Sequence, residues 1–208
     1  MDQFKDDERV KELLTEINKE LKVKLSEKRY KHSVGVMKKA EELAKLYGVD
    51  INKAKLVGLA HDIGKELSDE EKIQYAKDNN ISVDEVEKIN IGLLHAKIGA
   101  DICKKKYQFS EDMQKAIEYH TTGNKNMDIL AKVIFVADKI EDGREYKDEW
   151  KMKQLNEIRD LAKENIDRAL LYEIDSSINY TIQKKKLIHP DSIYTRNMII
   201  VEIQNNKH

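Results

Sequence analysis

The sequence predicts an all-α fold, and three observations lead to this class. The 208 residues include only one proline and eight glycines, so few positions interrupt regular secondary structure. Glu, Lys, Leu, Ile and Ala, which favour helix, are abundant. Apolar residues also recur at three- and four-residue intervals, the period of an amphipathic helix. Because the length suits a single core, we expect one domain over residues 1–208.

The composition excludes several classes of partner. The chain has 38 Lys and Arg against 39 Asp and Glu, a formal net charge of −1, so no global positive field favours DNA or RNA. The single cysteine, Cys103, cannot form an intramolecular disulfide and is predicted to be a small core residue. No signal peptide and no apolar run of about 18 residues is evident. We therefore expect a soluble cytoplasmic protein without nucleic-acid or membrane partners; a homodimer is compatible with the sequence, which does not fix the oligomeric state.

Capping residues and glycines predict three helices in the first third of the chain. Apolar residues recur with helical spacing from Glu8 to about Leu21 and mark the first helix. Ser26 is the predicted cap of the second helix, which Gly48 ends. Asp50 is the predicted cap of the third, and Gly64 allows the chain to turn after it.

The middle of the chain contains three further predicted helices. Ser68 and Glu71 resemble a capping box that opens a short polar helix, and Asn79-Asn80 would stop it. The next helix places four apolar residues on one face: Ile91, Leu94, Ile98 and Ile102. Ser110 or Asp112 would start the helix that follows.

The last third of the chain begins with an unusually apolar helix. The run from Met127 to Gly143 is too apolar for a surface helix, so we expect it to be buried. Beyond Tyr146 the helices become highly charged and are predicted to cover the core. Pro190 interrupts this pattern, and the region from Ile193 to Ile203 can be either a last helix or an extended segment.

Six titratable side chains fall on the apolar faces of these helices or directly beside them. They are His32, His61, Asp62, His95, His120 and Asp138. Burying so many of them without a shared cation would cost several kcal/mol, and imidazole nitrogens and carboxylate oxygens are ligands for zinc, manganese or iron. Six ligands exceed what one ion takes from a protein while leaving room for substrate, so we predict two ions bridged by Asp62. A hydrogen-bonded cluster in an all-α scaffold without metal is the alternative.

The order of these six residues resembles that of the HD-domain metal-dependent phosphohydrolase superfamily. Five local motifs are similar to those of the YqeK family within it. They are Arg29-Tyr-Lys-His32-Ser, His61-Asp-Ile-Gly-Lys65, Leu94-His95 with Gly99-Ala100, His120-Thr-Thr-Gly123, and Ala137-Asp-Lys-Ile-Glu141 with Arg144. The resemblance runs from about Leu21 to the end of the chain. It implies an HD-domain helical bundle with a dinuclear metal site in a core at about residues 26–146, and covering helices at about residues 147–208.

The resemblance also implies an activity and a metal. Members of the YqeK family hydrolyse diadenosine tetraphosphate symmetrically into two ADP, so a small nucleotide substrate is expected. The family implies iron, whereas the residue types alone equally allow manganese or zinc. One ion would be held by His32, His61, Asp62 and Asp138, and the other by Asp62, His95 and His120. Two such ions would activate a water molecule and neutralise phosphate oxygens.

Three cations are candidates for binding the phosphate chain. Lys65, which we predict to be catalytic together with Asp62, would neutralise the phosphates beside the metal. Arg144 would clamp them with two hydrogen bonds, and Arg29 is a further candidate. An ordinary surface ion pair is the alternative for each of these cations. Glu141 is predicted to pair with Arg144 across one helical turn.

Three residues directly after His120 are further candidates for substrate binding: Thr121, Thr122 and Gly123. They could equally do no more than end the helix, so both interpretations stay open. Three tyrosines are predicted to pack in the core rather than to stack on adenine: Tyr107, Tyr119 and Tyr146.

Two other functions are compatible with the same sequence. The protein could be an HD phosphohydrolase that acts on another nucleotide. It could also be a metal-containing nucleotide-sensing module, with the charged C-terminal helices as a partner surface. All six predicted ligands and Lys65 are present, which favours turnover over sensing.

Overall fold

Helices account for all regular secondary structure in the part of the chain that the computed structural model describes, residue 4 and residues 6–205. The first five are α1 (Asp7–Lys24), α2 (Glu27–Tyr47), α3 (Ile51–Ala60), α4 (Asp69–Asp78) and α5 (Glu85–Ile89). A 3-10 turn at Ile91–Leu93 precedes α6 (Leu94–Tyr107), α7 (Glu111–Tyr119) and α8 (Ile129–Ile140). The last three are α9 (Glu149–Glu164), α10 (Ile166–Gln183) and α11 (Pro190–Asn205). The predicted all-α class is confirmed; the ends of the predicted domain, residues 1–3 and 206–208, lie outside the described residues.

Helix α8 lies at the centre of the core. Nine of its twelve residues are buried, and it packs against α2, α3, α7 and α10. The carboxylate of Asp128 accepts a hydrogen bond from the Ala131 amide at 2.8 Å and so caps the start of the helix. The prediction of a buried helix from Met127 to Gly143 is therefore confirmed, and Asp138 is held on a rigid central element.

The first three helices follow the predicted pattern except at one cap. Helix α1 buries four of the five apolar residues predicted for its stripe, Val10, Leu13, Ile17 and Leu21, and leaves the fifth, Leu14, half-buried. Gly48 ends α2 with a φ of +67°, and Asp50 caps α3 by accepting the Lys53 amide at 3.0 Å. Ser26 does precede α2, but its hydroxyl does not cap the helix, because it donates to Glu66 Oε1 at 2.6 Å. The turn after α3 brings this carboxylate to Ser26.

Two capping boxes define the short helices of the middle segment. The predicted box of Ser68 and Glu71 is present at the start of α4. A second box, formed by Asp84 and Glu87, opens α5, a helix that the apolar spacing of the sequence does not predict. Five residues are too few to show an apolar period, so the spacing of these two acidic residues was the only available signal.

Helix α6 begins later than predicted. Ile91 lies in the 3-10 turn, and only from Leu94 does the chain follow an α-helix, with Leu94 and Ile98 buried. Ser110 is the residue that precedes α7, as one of the two predicted alternatives. Cys103 is fully buried on α6, which confirms the prediction of a small core residue.

The C-terminal helices pack on one another and on the core. Helix α10 contacts α8, α9 and α11, and Ile174 and Ile178 are among its buried residues. The region from 193 to 203 is helical, and Pro190 is the first residue of α11, a position where proline costs no hydrogen bond. His189 Nε2 lies 2.7 Å from Asp84 Oδ2 and so connects the start of α11 to α5. Among the described residues, no helix is both long enough and apolar enough to cross a membrane.

Glu20 is a polar contact between α1 and α6. Its carboxylate accepts hydrogen bonds from Tyr107, which is buried, and from Lys106, and it pairs with Lys24 at 2.7 Å. Burial alone would raise the pKa of Glu20, but these three partners lower it to about 2. The charged carboxylate therefore stabilises the folded protein.

Replacing Glu20 with glutamine is expected to lower the free energy of unfolding at pH 7 by about 1 kcal/mol. The expected loss is small because Lys24 and Lys106 are half exposed, and solvent weakens their ion pairs with Glu20. A carboxylate with a lowered folded-state pKa stabilises the protein above its unfolded pKa and loses this effect as the pH falls. The gap between wild type and variant should thus close between about pH 4.5 and pH 2. Urea denaturation across this range measures it, with Glu16→Gln, an exposed carboxylate one turn earlier, as the control. A gap that is independent of pH would contradict the interpretation.

Candidate metal centre

The structure brings together the six side chains that were predicted as metal ligands. Five helices contribute to the cluster. His32 lies in α2, His61 and Asp62 directly follow α3, His95 lies in the first turn of α6, His120 directly follows α7, and Asp138 lies in α8. Helix α8 packs on α2, α3 and α7, and α7 also packs on α3 and α6. Their packing therefore places the cluster in the interior of the protein.

Asp62 lies between two groups of imidazoles. Its Oδ2 is 3.6 Å from His61 Nε2, and its Oδ1 is 3.3 Å from His95 Nε2 and 3.7 Å from His120 Nε2. Two sets of three residues each have ligand atoms within 4.8 Å of one another and share Asp62. They are His32, His61 and Asp62, and Asp62, His95 and His120. The arrangement could hold two ions with Asp62 as the common ligand.

Asp138 joins the first of these groups. Its Oδ1 lies 2.9 Å from His32 Nε2 and 3.7 Å from His61 Nε2. Burial alone would raise the pKa of Asp138, but the ammonium group of Lys139 and the adjacent His32 side chain hold this pKa well below its usual range. Asp138 is therefore an anion at neutral pH, as a metal ligand must be.

Three of the four imidazoles are oriented by the backbone of their own chain segment. The Nδ1 atom of His61 lies 2.8 Å from Gly58 O, and the corresponding Nδ1 distances are 2.6 Å from His95 to Gly92 O and 2.6 Å from His120 to Ile117 O. A carbonyl oxygen can only accept a hydrogen bond, so Nδ1 carries the proton in each ring. The Nε2 atoms then have free lone pairs that point into the cluster, as metal-ligating histidines require.

Because these three rings are protonated at Nδ1, their Nε2 atoms are acceptors that lack enough hydrogen-bond donors in the cluster. The Nε2 atoms of His95 and His120 lie 3.1 Å apart although both can only accept. His61 Nε2 is buried and has no hydrogen-bond partner among the described residues. Acceptor atoms that face each other in a buried site call for a cation, so the residues fit one or two metal ions of the zinc, manganese or iron type.

The protonation states agree with this interpretation. Burial lowers the pKa of His61 and of His95 to about 4 in each case. Both imidazoles are therefore neutral near pH 7, the state in which histidine binds a metal ion.

The Glu141 side chain contacts His32, a predicted metal ligand, and not its predicted partner Arg144. Its Oε1 accepts a hydrogen bond from His32 Nδ1 at 3.3 Å, and its Oε2 accepts one from the Gly143 amide at 2.7 Å. The predicted pairing of its carboxylate with Arg144 is wrong, because α8 ends before Glu141 and the helical spacing no longer applies. Gly35 leaves the space for this carboxylate, since a Cβ there would overlap Glu141 Oε2.

Two of the predicted cations lie directly at the cluster. Arg29 Nη1 donates to Asp62 Oδ2 at 3.0 Å. Lys65 Nζ lies 3.1 Å from His95 Nε2 and 3.9 Å from Asp62 Oδ1. Burial lowers the pKa of Lys65, more than the nearby Asp62 raises it. Both side chains are thus positioned to meet an anion that approaches the ligands.

Arg144 lies at the edge of the cluster. Its Nη2 donates to the Asp138 carbonyl at 2.8 Å and is 3.7 Å from Asp138 Oδ1. Its Nε is buried without a hydrogen-bond partner in the described part of the chain. The guanidinium therefore retains a donor for a further ligand.

Two of the three residues after His120, Thr122 and Gly123, contact α11. Ser192 Oγ donates to the Thr122 carbonyl at 3.0 Å, and a Cβ on Gly123, which has a φ of +72°, would overlap Thr195. The helix-ending role of Gly123 therefore has a clear structural reason. Thr121 Oγ1 is buried, and no described residue bonds to it. Substrate binding by Thr121, Thr122 and Gly123 stays a prediction.

A groove of about 840 Å³ opens beside His32. Arg29, His32, Glu141, Arg144 and Tyr146 are among the residues that line it. The prediction that Tyr146 packs in the core is wrong, because 40% of the residue is exposed and it lines this groove. Tyr107, in contrast, is buried as predicted. Periodicity failed for Tyr146 because it lies in the loop between α8 and α9.

The fold and the site together define an all-α domain with a buried histidine and aspartate cluster suited to metal ions. The sequence profile of the HD domain matches residues 29–143, which include all six cluster residues. The chain belongs to the HD domain family.

Known relatives match nearly the whole chain. A protein of Halalkalibacterium halodurans named bis(5'-nucleosyl)-tetraphosphatase, symmetrical, is 34% identical over 183 residues, 88% of this chain and 94% of that protein. A Bacillus subtilis protein of the same name is 34% identical over 181 residues, 86% of this chain and 94% of that protein. A crystal structure from Clostridium acetobutylicum, described as a "predicted HD superfamily hydrolase involved in NAD metabolism", has a TM-score of 0.84 and 39% identity, and the match covers 90% of this chain and 97% of that one.

Proposed function

We propose that this protein is a metal-dependent phosphohydrolase that cleaves diadenosine tetraphosphate symmetrically into two molecules of ADP. The observation that carries the reaction class is the pair of three-residue ligand groups that share Asp62, with Arg29 and Lys65 in contact with them. The substrate is supported by the names of relatives that are 34% identical over most of both chains.

The proposed metal centre contains two ions. One would be held by His32, His61, Asp62 and Asp138, and the other by Asp62, His95 and His120. Iron is the proposed metal, and the same nitrogen and oxygen atoms suit manganese or zinc. Bound ions of this kind activate a water molecule and neutralise phosphate oxygens.

The side chains around the ligands have separate tasks. Lys65 and Arg29 neutralise the phosphate chain at the ligand cluster, and Arg144 binds it at the edge. The water oxygen forms a bond to one of the two central phosphorus atoms while the bond from that phosphorus to the bridging oxygen breaks. One water is consumed, and each product is a nucleoside diphosphate.

A second candidate is hydrolysis of another nucleotide. The relative from Clostridium acetobutylicum is described as involved in NAD metabolism, and NAD also contains a phosphoanhydride between two nucleosides. The nucleotide-sensing alternative predicts the same metal centre without turnover. Cytoplasmic location and a homodimer stay predictions.

Metal analysis of anaerobically purified protein, combined with chromatography of the reaction products, tests these proposals. We expect about two ions per chain and ADP as the sole product from diadenosine tetraphosphate. Two ions with turnover of only NAD or another nucleotide would support the second candidate. Two ions without turnover of any nucleotide in the panel would support sensing, and no metal under any loading condition would overturn the metal centre itself.

A further inference from the structure

A second groove shares two residues with the groove beside His32. Arg144 and Tyr146 line both of them. The second groove has a volume of about 720 Å³, against about 840 Å³ for the first. Both volumes lie within the range of about 300 to 1,000 Å³ that is usual for small-molecule sites. Arg144 and Tyr146 thus form a common wall between two spaces of ligand size.

The cationic end of the second groove contacts the ligand cluster. Lys139, which lines the groove, has its Nζ 3.0 Å from Asp138 Oδ2. Arg144 donates to the Asp138 carbonyl and keeps one buried donor without a partner among the described residues. The second groove therefore begins beside the ligand cluster, where Lys139 and Arg144 provide positive charge next to the carboxylate of Glu173, which also lines this groove.

The other lining residues suit a nucleoside. Three aromatic side chains line the groove and remain in contact with solvent: Trp150 is 66% exposed, Tyr180 55% and Tyr146 40%. Every nucleobase has a π face that stacks on such rings, and stacking removes both surfaces from water. The side-chain amides of Gln154 and Asn179 also line the groove and can hydrogen-bond to the edge of a base.

We propose that the second groove binds the second nucleoside of a dinucleoside tetraphosphate, with Trp150 as the stacking surface. This inference rests on the proposed function. A substrate that is cut in the middle carries a nucleoside diphosphate on each side of the reacting bond. One nucleoside then occupies the groove beside His32, the reacting phosphates lie at the cluster, and the other nucleoside occupies the groove lined by Lys139 and Trp150.

Fluorescence tests this assignment without requiring turnover. Trp150 is the only tryptophan in the sequence, so fluorescence excited selectively at tryptophan, and not at the nine tyrosines, reports on this groove. The probe is diadenosine tetraphosphate with a methylene group in place of the central bridging oxygen, which the enzyme cannot cleave there. We expect saturable quenching in the metal-loaded protein. Quenching without hydrolysis of the natural substrate would support nucleoside binding in the second groove and contradict the proposed function. Hydrolysis without quenching would contradict nucleoside binding in this groove and support the proposed function. The absence of both would reject both.

Kinetics provide a second test. Trp150→Ala is expected to raise the KM for diadenosine tetraphosphate by about tenfold and to leave kcat within about twofold, because the lost stacking acts on binding. Trp150→Phe should restore most of the wild-type KM, since the ring is kept. Tyr194→Ala removes an aromatic ring that is 55% exposed on α11 and does not line either groove, so its KM should equal that of the wild type. An unchanged KM in Trp150→Ala would overturn the proposal.

Discussion

The variant Asp62→Ala is expected to lose both bound metal and hydrolysis, with kcat/KM falling by more than about a thousandfold. Asp62 is the one residue shared by the two ligand groups, so its removal affects both proposed ions. It also leaves Arg29 without its carboxylate partner next to the histidines. Elemental analysis of the purified variant and product chromatography measure the two losses separately.

The control for this prediction is a carboxylate outside the cluster. Asp69→Ala makes the same chemical change in the first turn of α4, where the side chain is 61% exposed, so metal content and activity should stay at the wild-type level. Full activity of metal-free Asp62→Ala would contradict the mechanism, and full metal content in that variant would contradict the shared-ligand geometry.

The variant Glu141→Gln is expected to weaken metal binding by about 10- to 100-fold, the usual effect of changing a group that orients a ligating histidine. Glu141 contacts His32 Nδ1 and the Gly143 amide, so the charge that favours one ring orientation is lost while the ligands themselves remain. Excess metal should therefore restore most of the activity. Competition between the protein and a chelator of known affinity measures the change.

Two further variants sharpen this prediction. Glu145→Gln alters an exposed carboxylate in the same loop and should bind metal as tightly as the wild type. Gly35→Ala is expected to displace the Glu141 carboxylate, because the new Cβ on α2 would overlap Glu141 Oε2. Alanine favours helix over glycine by about 1 kcal/mol, so weaker metal binding in this variant cannot come from a weaker helix. Wild-type metal affinity in both Glu141→Gln and Gly35→Ala would contradict the role assigned to Glu141.

The residues that could be predicted from the sequence are those with a local signal. The apolar spacing of α1 and α8 identifies their buried faces, and the caps at Asp50 and Ser68 follow from neighbours three residues away. The cluster was predictable because histidines and aspartates interrupt apolar stripes, where a polar group requires a partner.

The residues that could not be predicted have partners that lie far apart in the chain. Ser26 has the local sequence signal of a helix cap, yet its hydroxyl donates to Glu66, 40 residues later. Glu141 and His32 are 109 residues apart, and no local pattern connects them. Tyr146 lies in a loop, where hydrophobic character does not distinguish packing from an open groove. Such contacts depend on the tertiary fold and become visible only with the structure.

The hydrogen bonds from Nδ1 of His61, His95 and His120 each span only three residues, which has a consequence for folding. Contacts of such short sequence separation close small loops and can form as soon as the helix or turn around them forms. These three rings can therefore adopt their ligating orientation before the tertiary structure is complete. His32 differs, because its partner Glu141 arrives only when the loop after α8 docks on α2. The last ligand to be oriented during folding should be His32, and the site is then complete only in the fully packed domain.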